Sequence, residues 1–415
     1  MFQVYYHRHM QKEVFAMTEF DFTSILDRHG KDAIAVDMIP IEGAEVQEGF
    51  DRIPMWVADM NFPVVPSITE ELQKRINHPA YGYFPVSDDY YNAIIQWQKT
   101  QNHVDVLKED IGYENGVLGG VATALNVLAC KGDWILLHSP IYIGFRHVLE
   151  DSGYHIVYSP LKKDDKGVWR MDYKDMAEKI EKYKIHTAIF CSPHNPCGRV
   201  WEKEEIEQAM KVYEDHQVNV ISDEIWSDLI LPGHQHIPTQ SVSGYAREHT
   251  IALYAPSKTF NLAGLIGSYH IIYSKLLRDQ MDKTSALTHY NSMNVLSMHA
   301  LIGGYSEEGR TWLNELREVL NTNLTFAVNY IHEHFKGVEV SMPQGTYMLF
   351  LDCTEWCREH NTTIDELLKK GVSVGVIWQD GRPFKGECHI RMNTALPASR
   401  VEEAFHRLDK YVFNA

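Results

Sequence analysis

The 415-residue sequence has no apolar run long enough to cross a membrane. A spanning helix needs about 18 or more consecutive apolar residues. The start, "MFQVYYHRHMQKEVFAM", mixes charged and aromatic residues and does not place a basic segment before an apolar one, as a secretory signal does. We therefore predict no membrane partner and a cytoplasmic location.

Cysteine and histidine spacings typical of disulfide and metal sites are also missing. The six cysteines contain no CxxC pair, and the 22 histidines contain no HExxH arrangement. A dense disulfide framework and a zinc site on one helix face both depend on such spacings. We therefore predict unpaired thiols and no metal site.

Positive charge is scarce, since 39 basic residues stand against 56 acidic ones and the formal net charge is −17. Such a surface repels phosphate backbones, which excludes nucleic-acid binding as the main role. The hydrophobic fraction of 44% is that of an ordinary globular protein.

The order of the sequence patterns predicts three parts. Residues 1–62 are expected to form an N-terminal arm that joins a small domain, residues 63–300 a large α/β domain, and residues 301–415 a small C-terminal α+β domain. Within the arm, residues 1–16 look detached from the rest of the chain, and Met17 opens a cleaner beginning.

Helical patterns and short apolar runs alternate through the large domain. The first helix, "SITEELQKRI", is expected to begin at Ser67 as its N-cap, with Glu70 in the capping-box position. The apolar runs that predict strands are 134–140, 155–161, 187–193, 218–224 and 250–257. Strands separated by helices indicate a mostly parallel sheet covered on both faces. Ligands bind such sheets beyond the carboxyl ends of the strands, so a site is expected there.

A glycine-bearing turn feeds a helix in "ENGVLGGVATALNVL". The first N–H groups of a helix have no partner within it and lie at the positive end of its dipole. A phosphate or another anion would be held well at such a turn. A purely structural glycine turn is the alternative.

Three side chains with possible binding roles follow predicted strands. Tyr142 in "SPIYIGF" could pack on a flat ring, and Asn195 lies in the proline-flanked loop "FCSPHNPCGRVW". Asp223 in "VISDEIWSDL" follows a β-branched strand, where a buried carboxylate is costly unless it is paired. A protonated ring nitrogen would be a suitable partner for it. Ordinary packing and a structural ion pair are the alternatives.

The fourth feature is a lysine, Lys258, in "YAPSKTFNLAG" after the last predicted strand of this series. A lysine amine can form an imine with an aldehyde when burial or neighbouring charge lowers its pKa. A solvated lysine is the common alternative, but the ordered set of glycine turn, tyrosine, asparagine, aspartate and lysine favours a binding site.

The motifs that carry this set resemble those of a known family. They are "MWVADMNF", "SPHNPCGRVW", "SDEIWSDL" and "SKTFNLAGL". Together they resemble the fold-type I enzymes that depend on pyridoxal 5′-phosphate (PLP), the aspartate-aminotransferase superfamily, and more narrowly the MalY/PatB-type cystathionine β-lyases, or C–S lyases. The resemblance covers nearly the whole chain from Met17. It implies PLP as cofactor, a large α/β domain with a mostly parallel sheet, and a smaller α+β domain.

The resemblance also implies catalytic roles. Lys258 resembles the lysine that binds PLP covalently and then removes the Cα proton of the substrate. Asp223 would pair with the ring nitrogen of PLP and keep it protonated. Tyr142 would stack on the ring face, and Asn195 would donate to its O3′ oxygen and border the substrate.

Further binding roles come from the same resemblance. The PLP phosphate would rest on N–H groups around Val117 and Leu118, with a hydroxyl from Ser257. Tyr83 in "YGYFPV" matches a tyrosine that reaches the active site of the neighbouring subunit, beside its cofactor and substrate, so a homodimer with shared sites is implied. Arg391 in "HIRMN" matches the arginine that binds the substrate α-carboxylate, for which its planar fork is well suited.

Several positions depart from the family pattern. Asn61 stands where the family often has an aspartate, and Trp226 stands where it often has a histidine. Ala255 replaces a phosphate-binding serine of some members. Trp378 and Arg382 lie in a segment that departs from the family's glycine-rich pattern, and we expect that segment to border the substrate.

The resemblance implies a β-elimination that cleaves cystathionine, cysteine or a cysteine S-conjugate to pyruvate, ammonia and a thiol. A class I/II aminotransferase, which transfers the amino group to a 2-oxo acid, shares nearly all of these residues and is the first alternative. A non-catalytic protein of the PLP fold with a regulatory or interaction role is the second. The presence of Lys258, Asp223, Asn195 and Arg391 together favours an enzyme.

Overall fold

The computed structural model describes residues 19–289 and 292–414. The predicted detachment of residues 1–16 lies outside this part of the chain. The described residues form two compact units. Unit 1 takes them from Met1–Pro63, Pro196–Gly198 and Asn314–Ala415, and unit 2 from Val64–Asn195 and Arg199–Leu313. The domain boundaries drawn from the sequence stay a prediction, because these units are defined by contacts and not by independent folding.

A seven-stranded sheet forms the centre of unit 2. Its strands are Ile111–Glu114 (β1), Trp134–Ser139 (β2), His155–Pro160 (β3), Thr187–Cys191 (β4), Asn219–Asp223 (β5), Thr250–Tyr254 (β6) and Ser268–Ile271 (β7). Their order is β1-β7-β6-β5-β4-β2-β3, and only β7 runs antiparallel to its neighbours. The predicted mostly parallel sheet is thus confirmed. Strands β4 and β6 are buried along their whole length, as expected of parallel strands covered on both faces.

Helices precede, connect and cover these strands, and the last of those named here continues into unit 1 from Asn314. They are Pro66–Ile76 (α1), Asp88–Trp97 (α2), Val117–Leu128 (α3), Ile143–Ser152 (α4), Tyr173–Tyr183 (α5), Lys203–Asp215 (α6), Gly244–His249 (α7), Lys275–Thr288 (α8), Val295–Gly304 (α9) and Glu307–His334 (α10). A two-residue hairpin, Lys162–Lys163 with Trp169–Arg170, follows β3. The predicted N-cap at Ser67 is wrong, because Val65 caps α1 and Pro66 begins it. Proline suits that first helical position, where no N–H is needed, and the Ser67 hydroxyl instead donates to the Gly303 carbonyl at 2.8 Å.

Unit 1 contains a small antiparallel sheet and short helices. Its longer strands are Met348–Asp352 (β8) and His389–Asn393 (β9), and its helices include Thr354–Glu359 (α11), Ile364–Ser373 (α12) and Ala398–Leu408 (α13). Strand β9 pairs with β8 and with Gln379–Asp380. Nearer the start of the chain, Ile53–Pro54 pairs in parallel with Val376–Ile377, and a single helical turn spans Ile34–Asp37.

The core of unit 2 holds the carboxyl ends of its strands in place. Side chains of α3 and α4, such as Leu125 and Phe145, are buried against strand residues such as Ile189, Ile221 and Leu253. Such close-packed interiors resist displacement of their elements. The loops that follow these strands therefore begin from fixed positions. No helix in the described part of the chain is long and apolar enough to cross a membrane.

Candidate active site

The loops after β4, β5 and β6 meet at one edge of the sheet. Cys191, Asp223 and Leu253 occupy neighbouring positions across these three strands. The chain then continues in register, since the Ser192 N–H donates to the Asp223 carbonyl and the Glu224 N–H to the Leu253 carbonyl, each at 2.9 Å. The predicted strand-end residues are thus carried by adjacent, mutually bonded loops.

Asp223 is the last residue of β5, and its side chain is almost fully buried. One carboxylate oxygen accepts the Ile225 N–H at 3.0 Å. Burial raises the pKa of Asp223 to about 7, the charge of Glu224 adds to this, and the Ile225 hydrogen bond and the Lys258 ammonium oppose it. A carboxyl group held near its own pKa at neutral pH would be stabilised in its ionised form by a protonated nitrogen. Asp223 therefore fits the ring nitrogen of PLP.

Glu224, the next residue, is buried but fully used within the protein. Its two oxygens accept hydrogen bonds from Ser222 Oγ, the Thr239 N–H, His236 Nε2 and Tyr254 Oη at 2.6–3.1 Å. These bonds, together with His236 as a charge partner, lower the pKa of Glu224 despite its burial. Sequence reasoning did not identify this network, because its members are distant along the chain.

Lys258 lies four residues beyond the end of β6, in the turn that follows it. Its side chain is half-buried, and its Nζ lies 5.8 Å from the centre of the Trp226 ring. The charge of Lys258 acts to lower the pKa of Asp223, so the two groups interact electrostatically. Ser257, the predicted phosphate ligand, is also half-buried in this turn.

The glycine turn before α3 has the geometry that the sequence predicted. Gly116 caps the helix with a φ of +80°, a conformation that glycine adopts freely. Val117 and Leu118 are the first two residues of α3, and the Gly120 N–H is already bonded to the Gly116 carbonyl at 3.0 Å. The N–H groups before it are those that a helix leaves for an anion.

Tyr142 is placed by a close approach to a glycine. It precedes α4, and a Cβ atom added at Gly144 would lie 2.5 Å from the Tyr142 ring and 2.8 Å from the Leu118 side chain. Glycine at this position therefore lets the aromatic ring and the first turn of α3 come together. The predicted ring-stacking residue and the predicted phosphate-binding turn are therefore close neighbours.

Asn195 is buried in the loop after β4. The preceding His194 lies 2.6 Å through Nε2 from the Pro140 carbonyl, which links this loop to the one that carries Tyr142. The His194 N–H also donates to the Arg199 carbonyl at 2.8 Å. The backbone on the N-terminal side of Asn195 is thus tied to the loop that precedes Tyr142.

Tyr83 lies apart from this cluster, in the loop between α1 and α2, with its side chain fully exposed at 111%. Such exposure is unusual for a large aromatic residue. The role at a neighbouring subunit that the family resemblance implies stays a prediction.

Arg391 belongs to unit 1, where it lies on β9 with its side chain buried. Its Nη2 donates to the Trp56 carbonyl at 3.0 Å and to the Gln379 side chain. The guanidinium carbon stands 4.4 Å from the centre of the Phe384 ring. These contacts fix the plane of the guanidinium group, as carboxylate recognition requires.

The predicted position of the segment of Trp378 and Arg382 at the border of the substrate stays a prediction, and the structure shows what these two side chains bind within the protein. Trp378 is fully buried, its indole N–H donates to the Leu368 carbonyl at 3.0 Å, and Gly371 makes room for its ring. Arg382 is bound to the carboxylates of Asp365 and Asp380. Both residues therefore stabilise unit 1.

The other departures have simple structural consequences. Asn61 accepts a hydrogen bond at 2.8 Å from Arg28, which also pairs with Asp59 at 2.6 Å. Ala255 is buried in the core of unit 2. Among residues 19–289 and 292–414, no cluster of three or more histidine, cysteine or carboxylate side chains is arranged to hold a metal ion.

Comparisons with known proteins agree on one family. The model of the aminotransferase class I and II family matches residues 53–408. Cystathionine beta-lyase PatB of Bacillus subtilis is 31% identical over 360 residues, covering 86% of this chain and 92% of the relative. Protein MalY of Escherichia coli is 30% identical over 390 residues, covering 92% and 96%.

A solved structure is similar over nearly the whole chain. The PLP-bound C–S lyase from Staphylococcus hominis has a TM-score of 0.85 and 28% identity, and the match covers 95% of this chain and 99% of that one. The fold predicted from the sequence is confirmed. The chain belongs to the aminotransferase class I and II family.

Proposed function

We propose that this protein is a PLP-dependent carbon–sulfur β-lyase that cleaves cystathionine, cysteine or a cysteine S-conjugate to pyruvate, ammonia and a thiol. The observation that carries the proposal is the pairing, at adjacent strand ends, of a buried Asp223 with a raised pKa and a half-buried Lys258. Two relatives of at least 30% identity, one of them named a cystathionine beta-lyase, support the choice of reaction.

We propose that different residues of the site bind different parts of PLP. The first N–H groups of α3, at Val117 and Leu118, and the hydroxyl of Ser257 would hold the phosphate. Tyr142 would cover the ring face, and Asp223 would bind the ring nitrogen as an ionised carboxylate. PLP supplies the electron sink that makes an amino acid Cα–H bond acidic.

Lys258 moves the protons of the reaction. Its Nζ takes the Cα proton of the bound amino acid, the Cβ–S bond then breaks, and the sulfur leaves with the electron pair of that bond and becomes a thiol on protonation. The three-carbon fragment reacts with one water and yields pyruvate and ammonia. A neutral amine is needed for the first step.

Arg391 would bind the α-carboxylate of the substrate. Its guanidinium is held by Trp56, Gln379 and Phe384, so little side-chain freedom is lost when a carboxylate binds. Asn195 would donate to the O3′ oxygen of PLP.

The protein is further proposed to be a homodimer in the cytoplasm. The fully exposed Tyr83 supports this assignment, since a second copy would cover it. Shared active sites would follow if Tyr83 enters the partner's site.

An aminotransferase is the second candidate, because the matched family contains such enzymes and uses the same residue set. The two reactions diverge after the Cα proton is removed. A lyase expels the Cβ substituent, whereas an aminotransferase needs a 2-oxo acid to regenerate its cofactor. A non-catalytic role is disfavoured because Lys258, Asp223 and Asn195 are all retained.

The experiment compares cystathionine with alanine, which has no leaving group at Cβ, in the presence and absence of a 2-oxo acid. A lyase releases pyruvate and homocysteine from cystathionine alone. Turnover of both amino acids only when the 2-oxo acid is present would establish the aminotransferase. Absence of turnover and of a PLP absorbance band would leave the non-catalytic role.

A further inference from the structure

A buried aspartate lies directly behind the turn that carries Lys258. Thr259, the next residue, is fully buried, and its hydroxyl donates to Asp228 Oδ2 at 2.7 Å. Asp228 is itself buried, and its other oxygen, Oδ1, accepts the Trp97 indole N–H at 3.0 Å. Each carboxylate oxygen therefore accepts a hydrogen bond from a neutral donor, and the two donors lie in different parts of unit 2.

Asp228 belongs to the turn after β5, the strand that ends at Asp223. Within this turn the Ser227 N–H donates to the Glu224 carbonyl at 3.0 Å, and the Leu229 N–H to the Trp226 carbonyl at 2.9 Å. The turn is thus fixed to the end of β5. The bond from Thr259 to Asp228 joins it to the turn after β6.

Aromatic packing fixes Trp97, the second donor to Asp228. The Trp97 ring stacks on the Tyr305 ring, with ring centres 4.4 Å apart and an angle of 2° between the ring planes. The Trp97 and Phe260 rings meet edge to face, with their centres 5.7 Å apart. Phe260 is two residues beyond Lys258, so the lysine turn is held at Thr259 and again at Phe260. A hydroxyl bound to a buried carboxylate is a strong constraint, because breaking it leaves the carboxylate short of a donor.

We propose that Asp228, through Thr259, is a positioning residue that sets the distance between Lys258 and Asp223. This inference rests on the proposed function, in which the lysine amine must reach the Cα proton while the aspartate binds the ring nitrogen. Proton transfer requires atoms placed within hydrogen-bond reach. A shift of about 1 Å from a change outside the reacting groups can lower a rate by about a hundredfold.

Three substitutions test the hydrogen bond between Thr259 and Asp228 in the PLP-loaded protein. Thr259→Val removes the hydroxyl at nearly constant volume, Thr259→Ser restores it, and Asp228→Asn turns one acceptor into a donor. Thr187→Val is the matched control, because Thr187 is also buried and donates to a carbonyl, that of Leu128 at 3.1 Å, from the opposite end of β4.

The measurements are kcat and KM for cystathionine and the pH midpoint of the visible absorbance band of bound PLP. Thr259→Val and Asp228→Asn are expected to lower kcat by about ten- to a hundredfold, to leave KM within about twofold, and to shift the pH midpoint. Thr259→Ser is expected to restore kcat and the pH midpoint, and Thr187→Val is expected to change neither of these two quantities.

Two results distinguish a failure of the proposed function from a failure of this inference. If the wild-type protein shows no band with PLP, the proposed function and this inference both fail. If the band forms but any soluble variant that lacks the Thr259 hydroxyl keeps the wild-type midpoint and kcat, only the inference is overturned. Thr259→Ala serves as the readout if Thr259→Val does not fold.

Discussion

Adjacent carboxylates behave in opposite ways at the end of β5. Asp223 has few internal donors, and burial raises its pKa, whereas Glu224 has four donors, and its pKa is lowered. Hydrogen bonds to the charged form explain the difference at similar burial. In the proposed site, Asp223 is thus the carboxylate suited to bind a cationic ligand group, whereas Glu224 stabilises the surrounding loops.

The pH dependence of stability tests Asp223 directly. In the PLP-free protein its carboxyl stays protonated to about pH 7 when folded, against an ordinary pKa of 3.8. The folded state then binds more protons than the unfolded state between these values, so the free energy of unfolding falls as pH rises from about 4 to 7. Asp223→Asn should remove this loss and be more stable than wild type near pH 8, by on the order of a few kcal/mol.

Urea unfolding of the PLP-free proteins at pH 4 and pH 8 measures this difference. The advantage of Asp223→Asn should grow with pH and be absent near pH 4. An equal difference at both pH values would mean that burial does not raise the pKa of Asp223.

Replacing the lysine tests the covalent role. Lys258→Ala should fold, bind no PLP covalently, and lose turnover by about 10²–10⁴-fold or more, the usual contribution of a general base. Borohydride reduction followed by peptide mass analysis should find the cofactor on Lys258 in the wild type. Lys275→Ala is the control, because that lysine is exposed and pairs only along its helix with Asp279.

At the level of elements, strand ends were more predictable than the contacts behind them. The apolar runs of β2 to β6 predict strands because burial on both faces selects β-branched and aliphatic residues. Polar residues at or after the ends of β4, β5 and β6 then fall at the proposed site. Asp228 and Glu224 were not foreseen, since their partners are brought close only by the sheet order.

Helix boundaries were less predictable for a local reason. Ser67 has the side chain of an N-cap, but the proline before it occupies the first helical position. The Ser67 hydroxyl then bonds to the Gly303 carbonyl of α9. Sequence alone did not show that α1 and α9 come so close.

That close approach gives a stability prediction. A Cβ atom at Gly303 would lie 2.7 Å from the Ser67 carbonyl oxygen and 2.8 Å from the Ile68 Cα. Because these are backbone atoms, α1 and α9 would have to separate, and Gly303→Ala should destabilise the protein by about 1–3 kcal/mol. Gly244→Ala is the control, since no heavy atom lies within 4 Å of its added Cβ. Chemical unfolding curves compare the two variants, and equal midpoints would contradict the predicted clash.

At the scale of the whole molecule, the proposed dimer can be tested through mixed subunits. If Tyr83 acts in the partner's site, Tyr83→Ala and Lys258→Ala proteins should each be nearly inactive alone. Refolding them together should recover about a quarter of wild-type activity, because random pairing makes about half of the dimers hybrid and each hybrid has one intact site.

The readout is activity after co-refolding, with sedimentation to establish the dimer. A mixture that stays as inactive as its components would contradict the role of Tyr83 in a neighbouring site. A monomeric wild type would contradict the dimer itself.

The central claim is that the protein expels sulfur from the β carbon without any amino-group acceptor. The most direct measurement is the amount of homocysteine and pyruvate released from cystathionine by the PLP-loaded protein with no 2-oxo acid present. We expect many turnovers per active site and equal amounts of homocysteine and pyruvate. Formation of at most one product molecule per active site, with continued turnover only after a 2-oxo acid is added, would contradict it and identify an aminotransferase.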